Sequence, residues 1–543
     1  MMKSLTLFAC IIVSFTGFGQ TPAILDKNNV SLIGLDMGNL FQDTATGSAG
    51  YEIPKGSGMN AVYTSAFWFG ALDAGGQLMT AAQTFGNAGT VDFYAGPYST
   101  NSSYMDSTYM AAYTPAIWSV TSATIDAHSA EFLAQGSVAN PHSTILNWPA
   151  HGDPLLGVAA NLAPFVDLNS DGIYDPYAGD YPEIKGCEGM YIIFNDAAGP
   201  SMSSNTPIMG IEVHVLLYQY ASTDFLNDVT FIDMNVINRS ANTLFSFASA
   251  SYTDADIGNY QDDYMGSNPQ RNLVYGYNGD NMDEDIGGIV GYGANPPALG
   301  MMYLNQTMEH SGYYSNGVPA QSDPTNGQEF WNYMHGQWAD GQGWVFGGTG
   351  YPGSAGATVQ PTDHLFYGDP NITSGWEWTE INLDGAGTAS QAADRRMFMS
   401  SEQGDLAPGA IHNIDLAIVY GRDTSKTNFE NIDVMLAVAD SVQAFYDTGV
   451  DDCNDPFADF DSEEKFVMDF ALYPNPSDGS FTVETKNDND EMTVLIQDAV
   501  GRNILMQTSN TSSLDLKINE PSGIYFVTIR SGNHYINKKL IIE

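Results

Sequence analysis

Gly523-Ile-Tyr-Phe-Val-Thr-Ile-Arg530 sets Tyr525, Val527 and Ile529 on one face of an extended chain and Phe526, Thr528 and Arg530 on the other. This alternation of β-branched and aromatic residues predicts a strand with one buried face. Ser531-Gly-Asn533 supplies turn chemistry and Tyr535 to Ile542 resumes an extended run, so the two segments read as a hairpin. Upstream, Ser480-Phe-Thr-Val-Glu484, Thr493-Val-Leu-Ile-Gln497 and Asn503-Ile-Leu-Met-Gln507 have the same character, and Asp498-Ala-Val-Gly501 separates the last two. Short strands at this spacing predict a small β-sandwich.

The same tail carries four ordered motifs: Leu472-Tyr-Pro-Asn-Pro-Ser-Asp-Gly-Ser-Phe481, Asp498-Ala-Val-Gly-Arg502, Gly523-Ile-Tyr-Phe-Val527 and Lys539-Leu-Ile-Ile542. In type and order they resemble the C-terminal sorting domain (type A) of type IX secretion cargo from Bacteroidota. The resemblance covers the tail alone. It implies an immunoglobulin-like sandwich over 466–543 that is read by the outer-membrane translocon. In that family the domain is often removed while the cargo is released or attached to surface lipopolysaccharide. The implied partner is the type IX secretion machinery, and the implied destination is the medium or the outer cell surface, reached via the periplasm. Phrases of the body, Tyr51-Glu-Ile-Pro-Lys-Gly-Ser-Gly58 and Asn147-Trp-Pro-Ala-His-Gly-Asp153 among them, resemble an uncharacterised group of secreted proteins with the same tail. No activity follows from that second resemblance.

At the other end, Met1-Met-Lys3 and an apolar run from Leu5 to Phe18 predict a secretory signal peptide over 1–19, with a mature N-terminus at Gln20 or Thr21. Cys10 lies inside the apolar run and precedes Ile11-Ile-Val13, which favours an ordinary signal over a lipoprotein cleavage box. No later run approaches the roughly 18 apolar residues of a membrane helix, so no transmembrane segment is expected after signal removal. Two cysteines remain in the mature chain, Cys187 and Cys453. Disulfide and free thiols stay equally open, because a bond needs Cα atoms within about 7 Å.

Between Gln20 and Lys465 stand 54 acidic and 10 basic residues, a net charge of −44. Such a field repels phosphate backbones and anionic membranes, which excludes nucleic acid as a partner and makes divalent cations the natural counter-charge. Low total charge with abundant aromatic residues and glycine describes a folded, loop-rich chain rather than a disordered one. Asp73-Ala-Gly-Gly76 between two apolar runs signals a hairpin. Gly210 to Tyr218, Val229 to Ile237 and Ile411 to Tyr420 read as strands of a sheet interior. Ile432, Met435, Leu436, Ala439, Val442 and Phe445 recur at helical spacing and predict a closing helix near 431–446. The expected fold is mainly β: a β-sandwich-like body over 20–450, with a soft prior of two or three domains from length, an acidic linker over 451–465, and the tail sandwich.

The sharpest candidate site is Asp167-Leu-Asn169-Ser-Asp171-Gly172-Ile173-Tyr-Asp175, with Asp180 as a further ligand. Oxygen donors at the first, third and fifth positions, glycine at the sixth, a carbonyl at the seventh (Ile173) and a carboxylate at the ninth suit calcium. The twelfth position is Ala178, and Pro164 and Pro176 discourage flanking helices, so the loop is not an EF-hand. It looks more like the loops of thrombospondin type 3 or dockerin-like segments. The alternative is an Asx-turn loop with solvated carboxylates. Asp254, Asp256, Asp262 and Asp263 form a second candidate metal group, evenly balanced against a solvated acidic loop.

Trp331, Trp338, Trp344, Trp376 and Trp378 cluster in a glycine-rich region. Exposed rings among carboxylates would suit sugar faces, whereas rings packed beneath long loops would not, and packing is the commoner outcome. HExxH, GxSxG and Walker motifs are absent, and the nine histidines show no ligand spacing. Three functions remain in order: a calcium-stabilised binding or adhesion protein for extracellular polysaccharide, a glycan-acting hydrolase with two carboxylates, and a structural surface component.

Overall fold

The computed structural model describes residues 22–85, 91–315, 318–372, 375–449, 453, 470–485, 492–498, 503–509, 511, 513–518, 521–531 and 534–542. The signal stretch 1–19 lies outside the described residues, as do the linker 451–465 apart from Cys453 and most of the 498–502 motif. The chain divides into two units, Met1–Ala458 and Asp459–Glu543.

The body is built on two antiparallel sheets. A central nine-stranded sheet runs in the order Tyr94–Ala95, Glu188–Asn195, Ile211–Gln219, Thr230–Asn238, Ile411–Gly421, Ala298–Tyr303, Leu273–Asn278 and Asp263–Asn268, with Ile117–Thr121 also pairing Glu188–Asn195. The second sheet has six strands: His310–Tyr314, Arg396–Leu406, Leu244–Asp254, Thr64–Leu72 and Asn39–Leu40 in order, with Leu78–Ala82 beside Thr64–Leu72. Alternate residues of each strand point to opposite faces, so Phe67, Phe69 and Ala71 join Met190, Ile192, Val213 and Val215 in one core between the sheets. Phe93 bridges the two, 6.0 Å from Phe69 and 5.1 Å from Phe194 between ring centroids.

Both sheets are covered on their other faces too, which is why their strands read as continuous apolar runs. Helix Asn428–Tyr446 lies on the far face of the central sheet and buries Ile432, Met435, Ala439, Val442 and Phe445. It begins three residues before the predicted start because Thr427 and Glu430 form a capping box. Gly421 lets the helix approach: a Cβ there would sit 2.2 Å from the backbone nitrogen of Met435. On the far face of the six-stranded sheet, Trp68 stacks on Tyr252 at 5.4 Å and meets Phe330 edge-on at 5.0 Å. Loops from the tryptophan-rich region close this layer. Each such ring removes on the order of 150–250 Å² from water, roughly 4–6 kcal/mol before entropic costs at about 25 cal/mol/Å².

Cys187 and Cys453 form a disulfide, with Cα atoms 4.3 Å apart. It closes a span of 266 residues and anchors the chain just beyond the closing helix. The chain-entropy account gives such a long loop a stabilisation of about 5.6 kcal/mol before native-state strain is subtracted. Cys187→Ser with Cys453→Ser is expected to lower the melting temperature by several degrees. Equal melting of oxidised and reduced wild-type protein would show that the bond contributes nothing.

The tail is a sandwich of its own. Phe470–Tyr473, Ser480–Thr485 and Ser513–Lys517 form one sheet, and Asn503–Ser509, Met492–Asp498, Gly523–Ser531 and His534–Ile542 the other. Phe481, Val483, Val494, Ile496, Tyr525, Val527 and Leu540 fill the space between them. Tyr525 and Val527 are buried on one face as their alternation requires, and the two final strands form the expected hairpin.

Candidate functional site: an acidic cleft

Strand register assembles the site. Asp254, the last residue of strand Leu244–Asp254, stands directly opposite Arg396, the first of Arg396–Leu406. Asp256 follows Asp254 by two residues and Asp394 precedes Arg396 by two, both just beyond the same end of the strand pair. Ligand oxygens of Asp254, Asp256 and Asp394 lie within 4.8 Å of one another, the one such group among the described residues. Arg396 is held between them, Nε 3.4 Å from Asp254 Oδ2 and Nη2 2.9 Å from Asp394 Oδ2. Its guanidinium also lies over the Phe85 ring at 5.6 Å.

These groups line a cleft of about 620 Å³ whose walls include Asn60, Tyr63, Phe85 and Tyr260. Asp254 is 2% exposed, and its Oδ1 has no hydrogen-bond partner, nor has Asp394 Oδ1. Burial pushes the Asp254 carboxyl up to about 8 against the pull of Arg396. Burial, and then the charges of Asp254 and Asp394, raise Asp256 well above the carboxylate range. Asp394 is raised by burial as well. One guanidinium does not neutralise three carboxylates, so at neutral pH the cleft must take up protons or a cation.

Of the second candidate metal group, the structure keeps Asp254 and Asp256 and separates Asp262 and Asp263. Asp263 is buried at the start of its strand and accepts the Ile257 amide at 3.0 Å. Asp394 and Arg396 take their place. Sequence carried a faint signal for them: two of the body's ten basic residues are adjacent, directly after an aspartate.

The 167–180 loop closes on its own amides. Asp167 accepts from Ser170 and Gly172, both at 2.7 Å, Asn169 from Asp171 at 2.9 Å, Asp171 from Ile173 at 2.8 Å, and Asp175 from Tyr177 at 3.0 Å. Asp180 is the buried hub, accepting from Leu168 at 3.0 Å and Asp175 at 2.9 Å. Gly172, with φ of +77°, supplies the left-handed residue of the turn. Ile173 is exposed.

The tryptophan cluster divides. Trp338, Trp344 and Trp378 are buried, which corrects their assignment to a sugar platform: their indoles fill the layer over the six-stranded sheet. Trp331 is half-buried against Gly70. Trp376 alone is open, 63% exposed, with one face close against Gly385. His214 lies in strand Ile211–Gln219. It joins Tyr191 Oη at 2.7 Å to Glu212 Oε1 at 2.8 Å in a buried relay that ties neighbouring strands together.

Residues 471–543 match the family model of the secretion system C-terminal sorting domain. The chain is cargo of the type IX secretion system, destined for the outer cell surface or the medium. No protein of curated function matches the chain in sequence. Among solved structures, a polysaccharide lyase is similar over 70% of this chain at 7% identity and a TM-score of 0.19, and this chain spans 38% of that protein's length. Dimeric latent PorU from Porphyromonas gingivalis is similar over 66% of this chain and 32% of its own, at 10% identity and a TM-score of 0.13. The BSP domain of a biofilm associated protein is similar over 96% of this chain and 80% of its own, at 8% identity and a TM-score of 0.14. No helix among the described residues is long and apolar enough to cross a membrane.

Proposed function

We propose that the body binds an extracellular polysaccharide in the acidic cleft, through a calcium ion held by Asp254, Asp256 and Asp394. The carrying observation is the convergence of three carboxylates, two with unpartnered buried oxygens, in a cleft with aromatic walls. Hard oxygen donors suit calcium, whose coordination shell has room for sugar hydroxyls beside the carboxylates. Tyr63, Phe85 and Tyr260 offer apolar ring surface, and Asn60 a hydrogen-bonding amide. In this reading the signal peptide delivers the chain to the periplasm and the tail completes export.

A second reading, a glycan-acting hydrolase, is favoured by one observation: a carboxyl raised to about 8 is protonated at neutral pH and has the character of a general acid. A glycan array with calcium present, followed by a reducing-end assay on each hit, separates the two. Retention without new reducing ends is the expected result. New reducing ends would establish the hydrolase, and no retention on any glycan would leave a structural component.

Calcium at the 167–180 loop belongs to the same reading. Saturation raises stability by RT ln(1 + [L]/Kd), about 1.4 kcal/mol at tenfold excess over a Kd of roughly 10⁻⁴ to 10⁻³ M. Asp171→Ala is expected to remove part of the calcium-induced rise in melting temperature while leaving cleft-dependent retention intact. An identical calcium response in this variant would make the loop an Asx turn and nothing more.

A further inference from the structure

We propose that Trp376, Phe346 and Tyr367 form a surface platform on which the rings of an uncharged, β-linked polysaccharide stack without help from a metal ion. The ligand class rests on the function proposed above, and the platform adds a second point of attachment, since none of its three rings lines the acidic cleft. Phe346 joins the other two, its centroid 6.0 Å from Trp376 and 6.1 Å from Tyr367, with tilts of 46° and 41°. Trp376 is 63% exposed and Tyr367 45%, while Phe346 is half-buried. Trp378 supports them from within, edge-on to Phe346 at 5.0 Å and to Tyr367 at 6.0 Å. It is buried and donates its Nε1–H to the Gly348 carbonyl at 3.0 Å.

The loop that carries Trp376 is fixed from inside. Asn382, 1% exposed, donates its side-chain amide to the carbonyls of Gly375 and Glu377, at 3.1 and 3.0 Å, and so grips the backbone on both sides of the tryptophan. Its Oδ1 accepts the Gly387 amide at 2.9 Å, and the Leu383 amide donates to the Thr388 carbonyl at 2.8 Å. A Cβ on Gly385 would come within 3.0–3.2 Å of three indole atoms, so one face of the ring rests on backbone and the exposure belongs to the rest of it. Covering such a ring removes apolar surface from water, and a rigid aromatic side chain loses little conformational entropy in the process.

The surroundings fit a sugar better than a charged or wholly apolar partner. Pyranose rings with equatorial hydroxyls offer C–H groups to the negative face of an aromatic ring and keep their hydroxyls at the rim. Glu377 stands beside Tyr367, whose phenol is raised by burial and then by that carboxylate. Glu377 accepts the Asp369 amide at 3.2 Å and has acceptor capacity left for hydroxyls. Exposed Gln360 borders Phe346, its carbonyl accepting the Phe346 amide at 2.8 Å. The large excess of acidic over basic residues in the body disfavours an anionic glycan.

The test uses the mature protein in excess chelator with two soluble probes, cellohexaose and N-acetylchitohexaose. Chelator keeps the cleft free of ions, so this binding and calcium-dependent retention succeed or fail separately. Among the described residues Trp376 is the one exposed tryptophan, and acrylamide quenching of indole fluorescence therefore reads its cover. At least one probe is expected to bind saturably by calorimetry and to reduce the quenching. Trp376→Ala should weaken that binding about tenfold or more, and Trp376→Tyr should keep it within about threefold, because an aromatic face remains. Exposed Leu133→Ala should leave it unchanged. Unaltered affinity in Trp376→Ala, or no protection by either probe at millimolar concentration, would overturn the assignment. So would quenching that falls as protein concentration rises without sugar, which would give the ring to a second copy of the chain.

Discussion

Removal of Phe470–Glu543 is expected to abolish appearance of the protein at the cell surface and in the medium while the body accumulates in the periplasm. The physical basis is that the tail is a unit with its own sandwich core, Phe481 and Val483 from one sheet meeting Val494, Ile496 and Val527 from the other. The body has sheets and a disulfide of its own. Truncation should therefore cost destination rather than folding. Immunoblots of periplasm, surface and medium read the outcome directly. Export at the wild-type level without the tail would remove the sorting assignment.

The second large effect lies in how pH acts on the cleft. Asp254 has a folded-state value raised to about 8, so it binds more protons in the folded state between about pH 4 and pH 8, and Asp256 is raised in the same direction. Stability of chelator-stripped protein therefore falls as pH rises through that window, by up to about 1.4 kcal/mol per pH unit for each carboxyl that stays protonated when folded. Below the unfolded value both states are protonated and the penalty vanishes; above the folded value it levels off. Calcium should reverse the loss by taking the place of the protons, with a larger rise in melting temperature at pH 8 than at pH 5. Asp254→Asn is expected to flatten the slope and to eliminate calcium-dependent glycan retention. A pH-independent melting temperature in wild-type protein would mean that the cleft carries no such penalty.

Local periodicity made much of this architecture readable. Alternation located the tail hairpin and the central strands, and the Asp73 turn appeared because the Asp73 carboxylate accepts the Gly75 and Gln77 amides within five residues. Features that depend on distant register were not readable. Asp254 meets Arg396 across 142 positions of chain. Helix Ser122–Gln135 escaped notice because it buries only His128 and so shows almost no apolar stripe. The tryptophans were legible as a cluster but not as a layer. Burial of Trp338, Trp344 and Trp378 and exposure of Trp376 depend on which loops fold over the six-stranded sheet.

Anomalous diffraction from crystals grown in calcium at pH 7, with a glycan from the array soaked in, tests the cleft most directly. The account predicts an ion peak bounded by oxygens of Asp254, Asp256 and Asp394 at about 2.3–2.6 Å, with sugar hydroxyls completing the shell. A cleft without anomalous density, its carboxylates still gathered around Arg396 while glycan sits elsewhere, would contradict it.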